Sequence, residues 1–82
     1  MIDKNQTNMN QYYLKIDGLY VNSFKLELSK RDLIATAHSN ARAVMIDRDG
    51  AEQELFLLRA AFPEGRVNLY CQDSKGESTL LL

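Results

Sequence analysis

The residue types that most often carry chemistry are scarce in this chain. It has one cysteine, Cys71, one histidine, His38, and no tryptophan. A single thiol cannot close an internal disulfide, so the stapling of small secreted domains is absent and a reducing compartment is expected. One His and one Cys cannot furnish the three or four N/S ligands of a zinc site. A His–Cys nucleophile pair would need His38 and Cys71 to meet in space, and His38 lies in a polar "HSN" stretch that reads as an ordinary loop. Glycine is limited to positions 18, 50, 65 and 76, each in a turn-like setting. No Gly-x-Gly-x-x-Gly or Gly-Lys-Ser phosphate cradle is formed. No serine stands in the Gly-x-Ser-x-Gly setting of an activated nucleophile. The expectation is therefore no enzyme, no cofactor, no metal site and no small-molecule substrate.

Long apolar runs are missing too. None approaches the ~20 residues of a membrane span. Residues 1–11, "MIDKNQTNMNQ", hold no apolar signal-peptide core, so a cytoplasmic protein with no membrane partner is expected. Charge of one sign is also absent, since 10 basic residues face 11 acidic ones for a formal net charge of −1. Such a chain has no strong field for nucleic acid, and it lacks the acidity of a DNA mimic. What is present is ordinary globular composition, 45% hydrophobic and 26% charged, in 82 residues. That length predicts one small domain, burying about 60–65% of its unfolded surface.

Residues 1–10, rich in Asn and Gln and without period, read as a flexible arm, with residues 11–82 as a single domain. "YYLKIDGLYV" at 12–21 reads as a hairpin. Asp17-Gly18 suits a two-residue type I′ turn, because both central positions need φ > 0. The turn sets Ile16 opposite Leu19, Lys15 opposite Tyr20, Leu14 opposite Val21 and Tyr13 opposite Asn22. Leu14, Ile16, Leu19 and Val21 then share one face, and Tyr13, Lys15, Tyr20 and Asn22 the other. "FKLEL" at 24–28 alternates with opposite parity, which a bulge or bend near Asn22-Ser23 would reconcile. Residues 29–41 read as a turn and short strand, with a short helix capped by Ser29 and Asp32 as the alternative. "RAVMID" at 42–47 is short and continuously apolar, the pattern of a central strand.

A helix is predicted over about 50–62. Asp49 serves as its N-cap, with Glu52 three residues on as in a capping box. Ala51, Leu55, Leu58 and Phe62 follow the spacing of one buried face. Pro63 and Gly65 stop the helix. Asp47, Asp49 and Glu52 around "DRDG" have the alternate acidic spacing of a calcium loop. Counting from Asp47, however, the twelfth position is Leu58 where a bidentate Glu belongs, so capping is the better reading. "RVNLYCQ" at 66–72 reads as a strand with Val67, Leu69 and Cys71 on one side, "DSKG" as a turn and "STLLL" as a last strand. The expected fold is α+β, a mostly antiparallel sheet of four to six short strands with one helix packed on one face.

Two surfaces are left over for binding. Phe56 lies about 100° around the helix from Leu55, with Ala60 near it and Leu57 on the flank, so apolar surface extends beyond the core stripe. The arm, a second subunit or a target protein would cover it, unless the 29–41 segment or the C-terminus does. The outer hairpin face carries Tyr13, Lys15 and Tyr20, with Lys25, Lys30 and Arg31 nearby, a small version of a stacking and cationic surface. Ordinary cross-strand packing of Tyr and Lys is the competing explanation, and the absent net positive charge favours it.

The order "YYLKIDGLYV", "FKLEL", "ARAVMIDRDGAEQELFLL", "GRVNLY" resembles small uncharacterised accessory proteins of phages and prophages. These open with a "YyLk-DGkYV" hairpin, followed by an alanine-led strand, a short helix and a closing strand after "G-x-V". The resemblance spans about residues 12–70, and the chain departs from it in the longer 29–41 segment and in "STLLL". It implies an accessory protein that binds and inhibits a host protein, for example a defence nuclease in the anti-CRISPR manner, and it assigns no residue roles. The leading expectation is thus a protein-interaction module that associates with a protein partner or with itself, acting through the helix face, the tyrosine face or an added strand at a sheet edge. A weak nucleic-acid binder is the alternative.

Overall fold

The computed structural model describes residues 10–25, 33–34 and 42–82. It contains β1 (Gln11–Ile16), β2 (Leu19–Tyr20), α1 (Arg48–Ala61), β3 (Val67–Gln72) and β4 (Ser78–Leu80). The strands form one antiparallel sheet in the order β2-β1-β3-β4, with the helix on one face. This is a small α+β domain, as the sequence predicts.

The hairpin has the predicted register, Lys15 opposite Tyr20 and Ile16 opposite Leu19. Asp17 and Gly18 take φ of 52° and 85°, as a type I′ turn requires. The ladder continues to Val21, whose N–H donates to Leu14 O at 3.0 Å. The N–H of Asn22 then turns outward and donates to Leu33 O at 2.6 Å. No strand is formed at 22–25; Lys25 N–H closes a small turn on Ser23 Oγ, and Phe24 still packs against the core. The rest of the expected 24–28 strand, most of the 29–41 segment and the 1–9 part of the arm lie outside the described residues.

Two boundaries differ from expectation. The helix begins at Arg48, and its N-cap is Asp47, not Asp49. The Asp47 carboxylate accepts from Asp49 N–H at 3.2 Å. Its backbone is extended (φ −106°, ψ 114°), the geometry from which a cap side chain reaches the first turn. Glu52 consequently pairs with Arg48 one turn back, at 2.8 Å. That hydrogen bond and the Glu52 charge raise the pKa of the Arg48 guanidinium, an exposed pair of little weight for stability. Asp47→Ala is expected to destabilise the domain by about 1 kcal/mol, whereas Asp49→Ala should cost less, as a chemical denaturation series will show.

The second difference is at 42–47. This segment is not a central strand. It makes an isolated bridge, with Met45 exchanging backbone hydrogen bonds of 2.7 and 2.9 Å with Tyr12, and Ala43 N–H donating to Val21 O. It therefore flanks β1 on the β2 side, and Ile46 is 63% exposed. An apolar run reads as doubly buried, but the chain must leave the sheet here to start α1, and that turns Val44 and Ile46 outward. The central strands are β1 and β3, paired in full from Gln11–Gln72 to Ile16–Val67.

The core lies between helix and sheet. Leu14, Ile16, Val21, Val67 and Leu69 meet Ala51, Leu55 and Leu58, with Phe62 closing the end. The helix stops where Phe62 N–H donates to Leu58 O, ahead of Pro63. Gly65 follows because the turn lies against the core, where a Cβ would stand 3.2 Å from Ile16 Cγ2.

Candidate functional site

The face of the sheet away from α1 carries the densest grouping of rings and cations among the described residues. Alternation along β1 sends Tyr13 and Lys15 outward, β2 adds Tyr20, and β3 adds Tyr70 directly across from Tyr13. Tyr13 and Tyr70 are stacked, with centroids 5.3 Å apart and planes 10° apart. Tyr13 meets Tyr20 at 5.7 Å and 57°. Both are favourable aromatic arrangements. Arg42, arriving from the flanking segment, sets its guanidinium carbon 4.6 Å from the Tyr13 centroid and 5.2 Å from that of Tyr20. Its Nη2 donates to Gln72 Oε1 at 2.6 Å. The Lys15 ammonium lies 4.9 Å from the Tyr20 centroid and 5.1 Å from the Tyr70 centroid. These are cation–π distances.

This arrangement corrects one expectation. Tyr13 is not a free outer ring, because it is only 4% exposed. Tyr20 and Tyr70 flank it, Arg42 covers it, and its hydroxyl donates to Ser78 Oγ at 3.0 Å. A side chain on the outer face of a central strand has neighbours on both sides, and here both are rings. Lys15 and Tyr20 are half-buried and reach the surface. Sequence reasoning missed Tyr70 and Arg42. The outward parity of Tyr70 is readable from Val67, Leu69 and Cys71 facing inward, but its place beside Tyr13 depends on the β1–β3 pairing.

The residues of the second expected surface are exposed. Phe56 is 73% exposed and Leu57 is 41% exposed, and both lie with Ala60 on the side of α1 turned from the sheet. No described segment covers Phe56.

A third feature is an open, polar groove of about 740 Å³ at the turn end of the sheet, reaching Tyr70. Asp17 N–H donates to Arg66 O, and Arg66 N–H donates to the Asp17 carboxylate, each at 2.9 Å, so its floor is braced. Among the described residues no three His, Cys, Asp or Glu side chains gather as a metal-ligating group. Cys71 is a free thiol, half-buried, and His38 lies outside the described residues. No described helix is long and apolar enough to cross a membrane.

Fold and surface together define a small α+β domain whose described residues present two separate outward surfaces, apolar on the helix α1 and aromatic–cationic on the sheet. No family model, curated protein or solved structure matches the chain.

Proposed function

We propose that this protein is a non-enzymatic protein-interaction module whose docking surface is the outer side of α1. The observation that carries this reading is Phe56, a large ring left 73% exposed in the middle of a well-formed helix. An aromatic side chain in water forgoes the roughly 1.5–3 kcal/mol that its burial would provide. Leu57 and Ala60 extend the patch beside it. Helices that present an apolar face to a partner use neighbouring i and i+4 anchors of this kind, here Phe56 and Ala60.

The same reading places the protein in the cytoplasm, in keeping with its lone thiol. The resemblance of its hairpin–strand–helix–strand order to phage and prophage accessory proteins supports an origin in a mobile element and a role as an inhibitor of a host protein. A homodimer formed through the same patch is a version of this reading.

Phe56→Glu separates these outcomes. The substitution faces solvent, so the fold should remain, while association should weaken about 100-fold or more, as for an aromatic hot spot. Wild type and variant are compared by affinity capture with mass spectrometry from the source cell and by sedimentation at high concentration. A partner or dimer lost in the variant supports the reading. A monomer at all concentrations, with an unchanged capture profile, overturns it.

A further inference from the structure

The outward face of the sheet differs in charge from the rest of the molecule. From Gln11 to Leu80, every strand position of that parity is neutral or basic, in a chain that has 11 carboxylates. The two cations on it, Lys15 and Arg42, have no carboxylate partner among the described residues, where the ion pair is Arg48–Glu52 on the helix. Both lie against the same ring, with Lys15 Nζ 4.9 Å and Arg42 Cζ 5.2 Å from the Tyr20 centroid. The Nε of Arg42 is withdrawn from water and has no hydrogen-bond partner. Cations that no carboxylate neutralises on the protein are left to pair with an anion from outside, in charge-assisted hydrogen bonds.

The two cations differ in mobility. Arg42 is fixed by its bond to Gln72 and by its stacking on Tyr13 and Tyr20. Lys15 rests over Tyr20 and Tyr70 on a flexible four-carbon stem and can swing off the rings. When it does so, the parts of the half-buried Tyr20 and Tyr70 rings that it covers are opened, while Arg42 stays against Tyr20. A flat ring and a phosphate-binding cation side by side match a nucleotide unit, with the base stacked and the phosphate paired.

We propose that this face binds single-stranded nucleic acid, with one backbone phosphate on Lys15, another on Arg42, and a base stacked on Tyr20 or Tyr70. Tyr13 is the buried support of the site and does not stack on the ligand. The site lies on the opposite side of the sheet from α1, so it stands independently of the docking role of Phe56. Net charge near zero gives little long-range attraction, and the affinity is that of a weak, non-specific binder, with Kd of about 10⁻⁴ M at low salt.

The test is fluorescence anisotropy with a short labelled oligothymidylate across a salt series, alongside the duplex form and free thymidine monophosphate. Two phosphate-neutralising cations predict a log–log salt slope of about −1.4. Lys15→Met keeps the aliphatic stem and should reduce the slope to about −0.7, with a several-fold loss of affinity at low salt. Tyr20→Leu should weaken binding about 10-fold and leave the slope unchanged, as a stacking contact would. Phe56→Glu should change nothing. No binding at low salt, or a slope that Lys15→Met does not reduce, overturns the proposal. Equal binding of the duplex, or of the free nucleotide with no gain from the strand, overturns the assignment to a single strand.

Discussion

Tyr13→Ala is expected to destabilise the domain by about 3 kcal/mol or more. Outer-face parity alone would predict a surface substitution, worth within about 0.5 kcal/mol. The structure places the ring at 4% exposure between Tyr20 and Tyr70 and beneath Arg42, so its removal opens a cavity under the guanidinium and breaks two ring contacts. A native stability of about 4–12 kcal/mol is typical for 82 residues, and the loss would be a large part of it. Tyr13→Phe isolates the hydroxyl. It removes only the bond to Ser78 and should cost about 1 kcal/mol. Urea denaturation of the two variants beside wild type measures both. If Tyr13→Ala proved as mild as a surface change, the ring cluster would not be a second small core.

Leu58→Ala should be as severe, about 2–5 kcal/mol, because Leu58 is fully buried at the centre of the helix–sheet core. For a domain of this size that corresponds to a drop in Tm of about 10 °C or more. The adjacent Leu57→Ala should shift Tm little, since Leu57 faces outward and is 41% exposed. Two neighbouring leucines with opposite outcomes would establish the rotation of α1 about its axis. Thermal unfolding followed by circular dichroism reads the pair directly. Comparable losses at both positions would mean that a covering surface lies over Leu57 and would contradict the docking face proposed around Phe56.

Much of the fold was legible because it is written in local patterns. Asp17-Gly18 sets the hairpin register, and the strict alternation of Leu14 and Ile16 with Tyr13 and Lys15 sets its faces. Ala51, Leu55 and Leu58 set the buried side of the helix and thereby leave Phe56 outside. The segment 42–47 misled because an apolar run records hydrophobicity but not the direction of the chain. "AVMI" flanks the sheet and turns into the helix, and its residues are spent partly on the surface. The cap misled by two residues because "DRD" offers two aspartates, and only packing of Ala51 against the sheet selects the phase that makes Asp47 the cap.

The two outward surfaces divide in the same way. The apolar side of α1 was determined by the sequence alone, since a helix presents its faces by a fixed rotation per residue. The tyrosine face was half determined. Parity placed Tyr13, Lys15 and Tyr20 together, but which strand would lie against β1 is a pairing between positions more than fifty residues apart, and no local period encodes it. The tertiary structure decided that β3 lies there, with Tyr70 against Tyr13, and that Arg42 closes over both Tyr13 and Tyr20. That neighbourhood buries Tyr13, and it leaves Tyr20 and Tyr70 as the rings of the cluster that reach solvent, with Lys15 beside them.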